Sequence, residues 1–138
     1  MYILGLSFYY HDSAAALIHD GAVVAAGEEE RLSRVEHDNR FPSLAVDFCL
    51  KKAGISIHDV DYVVFYEKPF LKFERLLTTA FATFPRSHKV FTESMRRWVT
   101  DKLWIKPLIR DKLGLDAKKI LFCEHHMSHA AASVFCSR

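Results

Sequence analysis

YILGLSFYYHDSAAALIHDGAVVAAGE, residues 2–28, holds three short apolar runs with almost nothing between them. Residues 2–8 read as a first strand, residues 13–19 as a second and residues 22–28 as a third. Asp20 and Gly21 separate the last two, and an Asp-Gly pair between apolar runs predicts a tight hairpin because glycine accepts positive φ. Strands joined by so few residues pair antiparallel, since a parallel return needs a crossover of a dozen residues or more. The opening of the chain is therefore predicted to be an antiparallel meander.

Beyond it the pattern changes. Glu28-Glu29-Glu30-Arg31 reads as a polar exit from the third strand. Phe41-Pro42-Ser43 reads as a helix start, with Leu44, Ala45, Phe48 and Cys49 at helical spacing and Gly54 as the residue that stops it. Residues 60–66 form a nearly unbroken β-branched and aromatic run, the signature of a strand buried on both faces. Residues 70–113 carry few turn signals besides Pro85 and Pro107 and read as two or three helices, with an amphipathic stretch from Ser94 to Trp104. Lys119 to Cys123 is a further core strand, running straight into a helix rich in alanine from His125 onward. Three strands, then helix, strand, helices, strand and helix predict an α/β fold. Its sheet is mixed and five-stranded, the first three strands antiparallel and the two later ones parallel to the first. At the level of fold, that order matches the ribonuclease H-like half-domain of the actin and sugar-kinase group.

Composition narrows the function. The chain has 138 residues, 50% of them hydrophobic, and a formal net charge of +2. It is long enough for one domain with a real core, and its charge gives no reason to expect nucleic acid or an anionic membrane as partner. The apolar runs are too short to span a bilayer, and the start lacks the basic leader of a signal peptide. Cys49, Cys123 and Cys136 are widely spaced with no CxxC, which predicts reduced thiols and a cytoplasmic setting.

Three stretches could carry chemistry. His125 and His129 stand four apart at the start of a helix, so both imidazoles can reach one ion, zinc or ferrous iron. Position 126 is His rather than Glu, which excludes the metalloprotease HExxH reading. Two ligands do not complete a site, and an HxxxH pair is by itself weak grounds for metal. Tyr9-Tyr10-His11-Asp12-Ser13 links the first two strands. His11 and Asp12 suit acid–base work, while Asp12 and Ser13 equally suit hydrogen bonds to the turn's own backbone. In the run from Glu28 to Pro42, Arg34 and Arg40 could hold a phosphate or carboxylate, or simply form a solvated face. No GxGxxG or GxxxxGK occurs.

Taken together, ILGLSFYYHDSAAALIHDGAVVAAGEEERLSRVEHDNRFPSLAV resembles the opening of the O-carbamoyltransferase family that includes the nodulation-factor, cephamycin and tobramycin enzymes, and EHHMSHAAASVF resembles that family's metal motif. The resemblance implies that residues 1–138 are the amino-terminal lobe of an actin-like ATPase domain within a longer protein. Further carboxy-terminal domains would make carbamoyl-adenylate from carbamoyl phosphate and ATP, and the carbamoyl group would pass to a small-molecule hydroxyl acceptor. Carried across by motif, His125 and His129 become ligands of an iron or zinc ion and His11 the base for the acceptor hydroxyl. Asp12, Ser13, Arg34 and Arg40 become the lining of the nucleotide and carbamoyl pocket. Glu36 stands where many members carry lysine. The isolated chain is expected to be inactive and to form a homo-oligomer, with the segment from Phe70 to Phe91 a candidate for part of the contact. A module that binds nucleotide or metal without catalysis, or one that only dimerises, is the alternative.

Overall fold

Alternating burial along the first two strands sets the architecture. In the computed structural model, which describes residues 1–10, 12–84, 86, 88–97 and 104–135, β1 (Tyr2–Ser7) buries Leu4 and Leu6, and β2 (Ala14–His19) buries Ala15 and Leu17. Their antiparallel register puts Leu4 opposite Leu17 and Leu6 opposite Ala15, so these four side chains share one face. β3 (Ala22–Glu28) follows through Asp20 and Gly21, both at positive φ (48° and 85°), the backbone of a two-residue type I′ hairpin. Opposite β2, Leu17 faces Ala25 and Ile18 faces Val23, which leaves Val24 as an extra residue in a bulge on this edge strand. The bulge resets the alternation, so Ala25 and Gly27 face the core.

A short helix, α1 (Glu29–Ser33), stands where the sequence suggested only a polar exit. Its two leading glutamates favour a helix N-terminus, and Arg34 closes it at φ 57°. Glu29 is buried, and its carboxylate accepts the backbone N–H groups of Leu44 (3.1 Å) and Ala45 (2.8 Å). It therefore caps the first turn of α2 (Ser43–Ala53), which has no cap of its own, and charge-assisted bonds of this kind are worth about 1.5–3 kcal/mol each. α2 ends at Gly54 (φ 67°), as its sequence requires. It packs on β2 and β3 through Ala45, Val46 and Cys49. Gly27 faces this helix, where a Cβ would meet the Phe48 ring at 3.4 Å and the Ala45 Cβ at 4.0 Å, in ordinary van der Waals contact.

A 3₁₀ turn (Ile57–Asp59) leads to β4 (Tyr62–Phe65), parallel to β1, with Leu4 beside Val63 and Leu6 beside Phe65. Three helices follow: α3 (Pro69–Ala82), α4 (His88–Arg97) and α5 (Ile105–Leu113). The amphipathic stretch expected from Ser94 to Trp104 lies partly outside the described residues, as do Pro85 and Cys136. β5 (Ile120–Phe122) runs parallel to β4, and α6 (His125–Phe135) comes next. The sheet order is β3-β2-β1-β4-β5, a mixed five-stranded sheet with the expected directions.

The core lies on one face only, where Leu4, Leu6, Leu17, Val63, Phe65 and Ile120 pack with α2 and with Ile105 and Ile109 of α5. This corrects the reading of residues 60–66 as a strand buried on both faces. Val63 and Phe65 are buried, but Val64 is only half-buried and Tyr62 exposed, because the opposite face is left open as a groove with Met127, Ser128 and Ala131 of α6 along one side. Among the described residues, no helix is long and apolar enough to cross a membrane.

Candidate functional site

Because β1, β4 and β5 are parallel, their C-terminal ends lie along one edge of the sheet, the edge where α/β sheets bind ligands. Beneath that edge is an aromatic floor. Phe8 packs on Phe65 (4.9 Å between centroids) and Phe41 (5.4 Å), and Phe65 packs on Tyr66 (4.7 Å) and Phe122 (6.1 Å). Such a floor holds the connections above it in fixed places.

The β1–β2 connection is one of these. Tyr9 sits at φ 64°, and its N–H donates to the Asn39 carbonyl (2.9 Å). Ser13 donates to the Asp38 carbonyl through both its N–H (3.0 Å) and its buried hydroxyl (2.8 Å). The segment around Asp38 thus straps down the turn, and the Ser13 hydroxyl is committed to backbone. Asp12 is paired with His37 (Oδ1 to Nδ1, 3.1 Å), and His37 N–H donates to Glu30 Oε2 (3.2 Å). Asp12, Glu30 and His37 offer three donor atoms within 4.8 Å of one another. His37 escaped the sequence reading; its only signal there was its place in the charged run from Glu28 to Pro42. Hydrogen bonding to Asp12, and then the charge of Asp12, raise the His37 pKa. His11 lies outside the described residues.

Arg34 and Arg40 behave differently. Arg34 is exposed at the end of α1. Arg40 forms a two-pronged pair with the buried carboxylate of Asp38, Nε to Oδ1 at 2.8 Å and Nη2 to Oδ2 at 2.6 Å. That uses the Nε–Nη2 edge of the guanidinium, leaving the Nη1 side to meet any anion. Hydrogen bonds from Arg40 hold the Asp38 carboxyl far below the usual carboxylate range. A depressed folded-state pKa stabilises the fold above the ordinary carboxylate value of about 4 and loses that contribution as pH falls through the depressed value. Thermal melts by circular dichroism should therefore show a melting temperature that falls with acid below about pH 4. Asp38→Asn should melt lower at neutral pH and show a shallower acid limb. An unchanged limb in that variant would assign the acid sensitivity to other carboxylates.

At the β5 end of the same edge, α6 places the two predicted histidines on one face. Their Nε2 atoms are 3.2 Å apart and their ring centroids 4.6 Å. Two nitrogens each about 2.0–2.1 Å from a shared ion are separated by about 2.9 Å at a right angle and about 3.4 Å at a tetrahedral one. The observed spacing falls between these, so the pair fits an iron or zinc ion as two of its ligands. His125 Nδ1 is buried and has no hydrogen-bond partner. The ring packs edge-on to Tyr66 (5.6 Å), whose hydroxyl pKa is pushed up to about 12, chiefly by burial and then by the charges of Glu67 and Tyr10. Burial also pushes up the Cys123 thiol, which donates to the Phe65 carbonyl (3.4 Å) and is no ready thiolate ligand. Beside the histidines opens a polar recess of about 280 Å³, lined by Glu67, Lys68, Arg75, Glu124 and His126. The structure thus brings Asp12 and Ser13 together with the Asp38–Arg40 strap, and His125 with His129, at two points on one edge.

Comparison with known proteins gives a consistent picture. The family model described as Carbamoyltransferase N-terminus matches residues 2–138. An uncharacterized protein, sll1178, of Synechocystis sp. is 48% identical over 99% of this chain and 23% of its own length. Nodulation protein NolNO of Sinorhizobium fredii is 34% identical over 88% of this chain and 17% of its own length. A 19.2 kDa uncharacterized protein of Rhizobium etli is 40% identical over 42% of this chain. The chain thus spans less than a quarter of the length of the first two relatives.

Proposed function

The chain belongs to the carbamoyltransferase family, whose amino-terminal region it carries, and we propose that it supplies one lobe of the active site of an ATP-dependent O-carbamoyltransferase. The observation that carries this reading is the shared edge: the Asp12–Ser13 turn at the end of β1 and the His125–His129 pair at the end of β5. The sheet is read as a ribonuclease H-like, actin-like half-domain, on the strength of its meander followed by two parallel crossovers.

In the proposed reaction the acceptor hydroxyl oxygen attacks the carbamoyl carbon of carbamoyl-adenylate. A carbon–oxygen bond forms, the bond from that carbon to the phosphate oxygen breaks, and AMP leaves. The hydroxyl proton goes to His11. Asp12 and the free side of Arg40, with Arg34, would meet the polar groups of the nucleotide, while Ser13 keeps the turn in place. His125 and His129 would hold iron or zinc, a Lewis acid for charge developing on oxygen. Carbamoyl phosphate and ATP as adenylate precursors, a small hydroxyl acceptor, further carboxy-terminal domains and a cytoplasmic setting belong to the same proposal.

The test begins with metal. Titration of the chain with Zn²⁺ or Fe²⁺ in a calorimeter should give weak one-site binding, because two imidazoles leave a coordination sphere half filled. His125→Ala/His129→Ala should abolish that binding without unfolding the chain, since α6 has no buried residue and alanine favours helix. Equal binding by both forms would remove the metal assignment.

A further inference from the structure

Two cationic side chains on the strap are each held from behind by a carboxylate. Arg40 lies against Asp38, whose side chain is 1% exposed, while the guanidinium side chain is 70% exposed. The carboxylate takes its Nε–Nη2 edge, and the Nη1 side is left over. Three residues earlier, His37 repeats the arrangement with a ring. Its Nδ1 lies 3.1 Å from Asp12 Oδ1, and its side chain is 71% exposed. An ionised carboxylate only accepts, so Nδ1 carries the proton and Nε2 is the nitrogen left for a ligand. His37 stands at φ 53°, a left-handed backbone that few residues other than glycine adopt, with its N–H bound to Glu30 Oε2 (3.2 Å). Held at both backbone and ring, the imidazole has a fixed direction. The hydrogen bond to Asp12, and then the charges of Asp12, Glu36 and Glu30, raise its pKa, so the imidazolium persists to higher pH than in an isolated histidine.

We propose that His37 and Arg40 bind phosphate: His37 Nε2–H and the Nη1 side of Arg40 take phosphoryl oxygens of a nucleoside monophosphate. This rests on the reading of the edge as a nucleotide site. It adds His37 as a residue that touches the phosphate, and it makes Asp12 and Asp38 positioning residues that act through the two cations. Each cation keeps its geometry without ligand, so little side-chain freedom is lost when the phosphate arrives. Glu36 opposes binding. Its Oε1 lies 4.0 Å from His37 Nε2, and its side chain is 91% exposed. A solvated carboxylate at that distance holds the imidazolium weakly, and a phosphate dianion displaces it.

Titration of the 138-residue chain with AMP, followed by NMR at the His37 ring and the Arg40 guanidinium, tests this. AMP should shift both signals and raise the His37 pKa further, since a ligand that prefers the imidazolium favours protonation by linkage. Adenosine, which lacks phosphate, should shift neither, and inorganic phosphate should shift both with lower affinity. His37→Gln should weaken AMP binding about ten-fold or more at about pH 6, where the imidazolium predominates. Arg40→Lys should do the same, because an ammonium engaged with Asp38 has no second edge to offer. Both positions are exposed, and circular dichroism should match the parent. Glu36→Gln should tighten binding roughly three-fold. As pH rises through the His37 pKa, the parent should lose affinity relative to His37→Gln. AMP binding equally to the parent, His37→Gln and Arg40→Lys would overturn the proposal while leaving a nucleotide site elsewhere on the edge. Inorganic phosphate binding as tightly as AMP, or no shift of either residue at millimolar AMP, would overturn it as well. Metal binding by His125 and His129 is read separately, so its failure would remove the metal assignment and leave the phosphate site standing.

Discussion

Assayed alone, the 138-residue chain is expected to move no carbamoyl group from carbamoyl phosphate and ATP to any hydroxyl acceptor. The proposed edge supplies a turn, a strap and two imidazoles, all from one side. Transfer needs the acceptor oxygen held in line with the carbamoyl carbon while the nucleotide is held on the far side. Fixing two reactants in register accounts for about 7–11 kcal/mol of a barrier, a factor of roughly 10⁵–10⁸ in rate. The Synechocystis and Sinorhizobium relatives are more than four times as long as the region they share with this chain, so the grip on the second reactant is assigned to what they carry beyond it. Isotope-labelled carbamoyl phosphate with the isolated chain should give product no faster than the His125→Ala/His129→Ala variant. Product above that background would return the whole reaction to these residues and overturn the division of labour.

How legible this was in the sequence differs by feature, and the reasons are physical. The hairpin was legible because Asp20 and Gly21 can adopt a pair of positive φ angles that few residue pairs accept. α2 was legible at both ends, through the helical spacing of Ala45 and Cys49 and the stop at Gly54. The histidine pair was legible because helix geometry alone puts positions 125 and 129 on one face. What escaped depends on contacts distant in sequence. Glu29 looks like one of three surface glutamates until α2 returns its N-terminus over it, 15 residues later. Asp38 and Arg40 look like a solvated charge run until the Ser13 backbone docks on the Asp38 carbonyl and buries the carboxylate beside it. The reading of residues 60–66 failed for the opposite reason. Apolar composition alone does not tell which face of a strand is covered, and among the described residues only one face of this strand is buried.

Within a longer protein of this family that carries the sequence, His11→Ala should lower the turnover of carbamoyl transfer by about 10²–10⁴-fold, the usual contribution of a positioned general base. Nucleotide affinity should hardly change. The described groups that flank it in sequence or lie at the same edge carry the argument. Ser13 is fixed by two bonds to the Asp38 carbonyl, and Asp12 is occupied by His37. Tyr66, the phenol near this edge, is held protonated by a pKa of about 12. The Ser13 hydroxyl is committed to backbone and Tyr66 keeps its proton, whereas an ordinary imidazole titrates near 6.5, within reach of neutral pH. The parent enzyme should therefore lose activity as pH falls through that region, and the variant's residual rate should lack this limb. Rate against pH, measured at saturating substrate, separates the two roles. A His11→Ala protein turning over at the parent rate with the acid limb intact would make His11 a turn residue only, and the proton would have to leave by another group on the same edge.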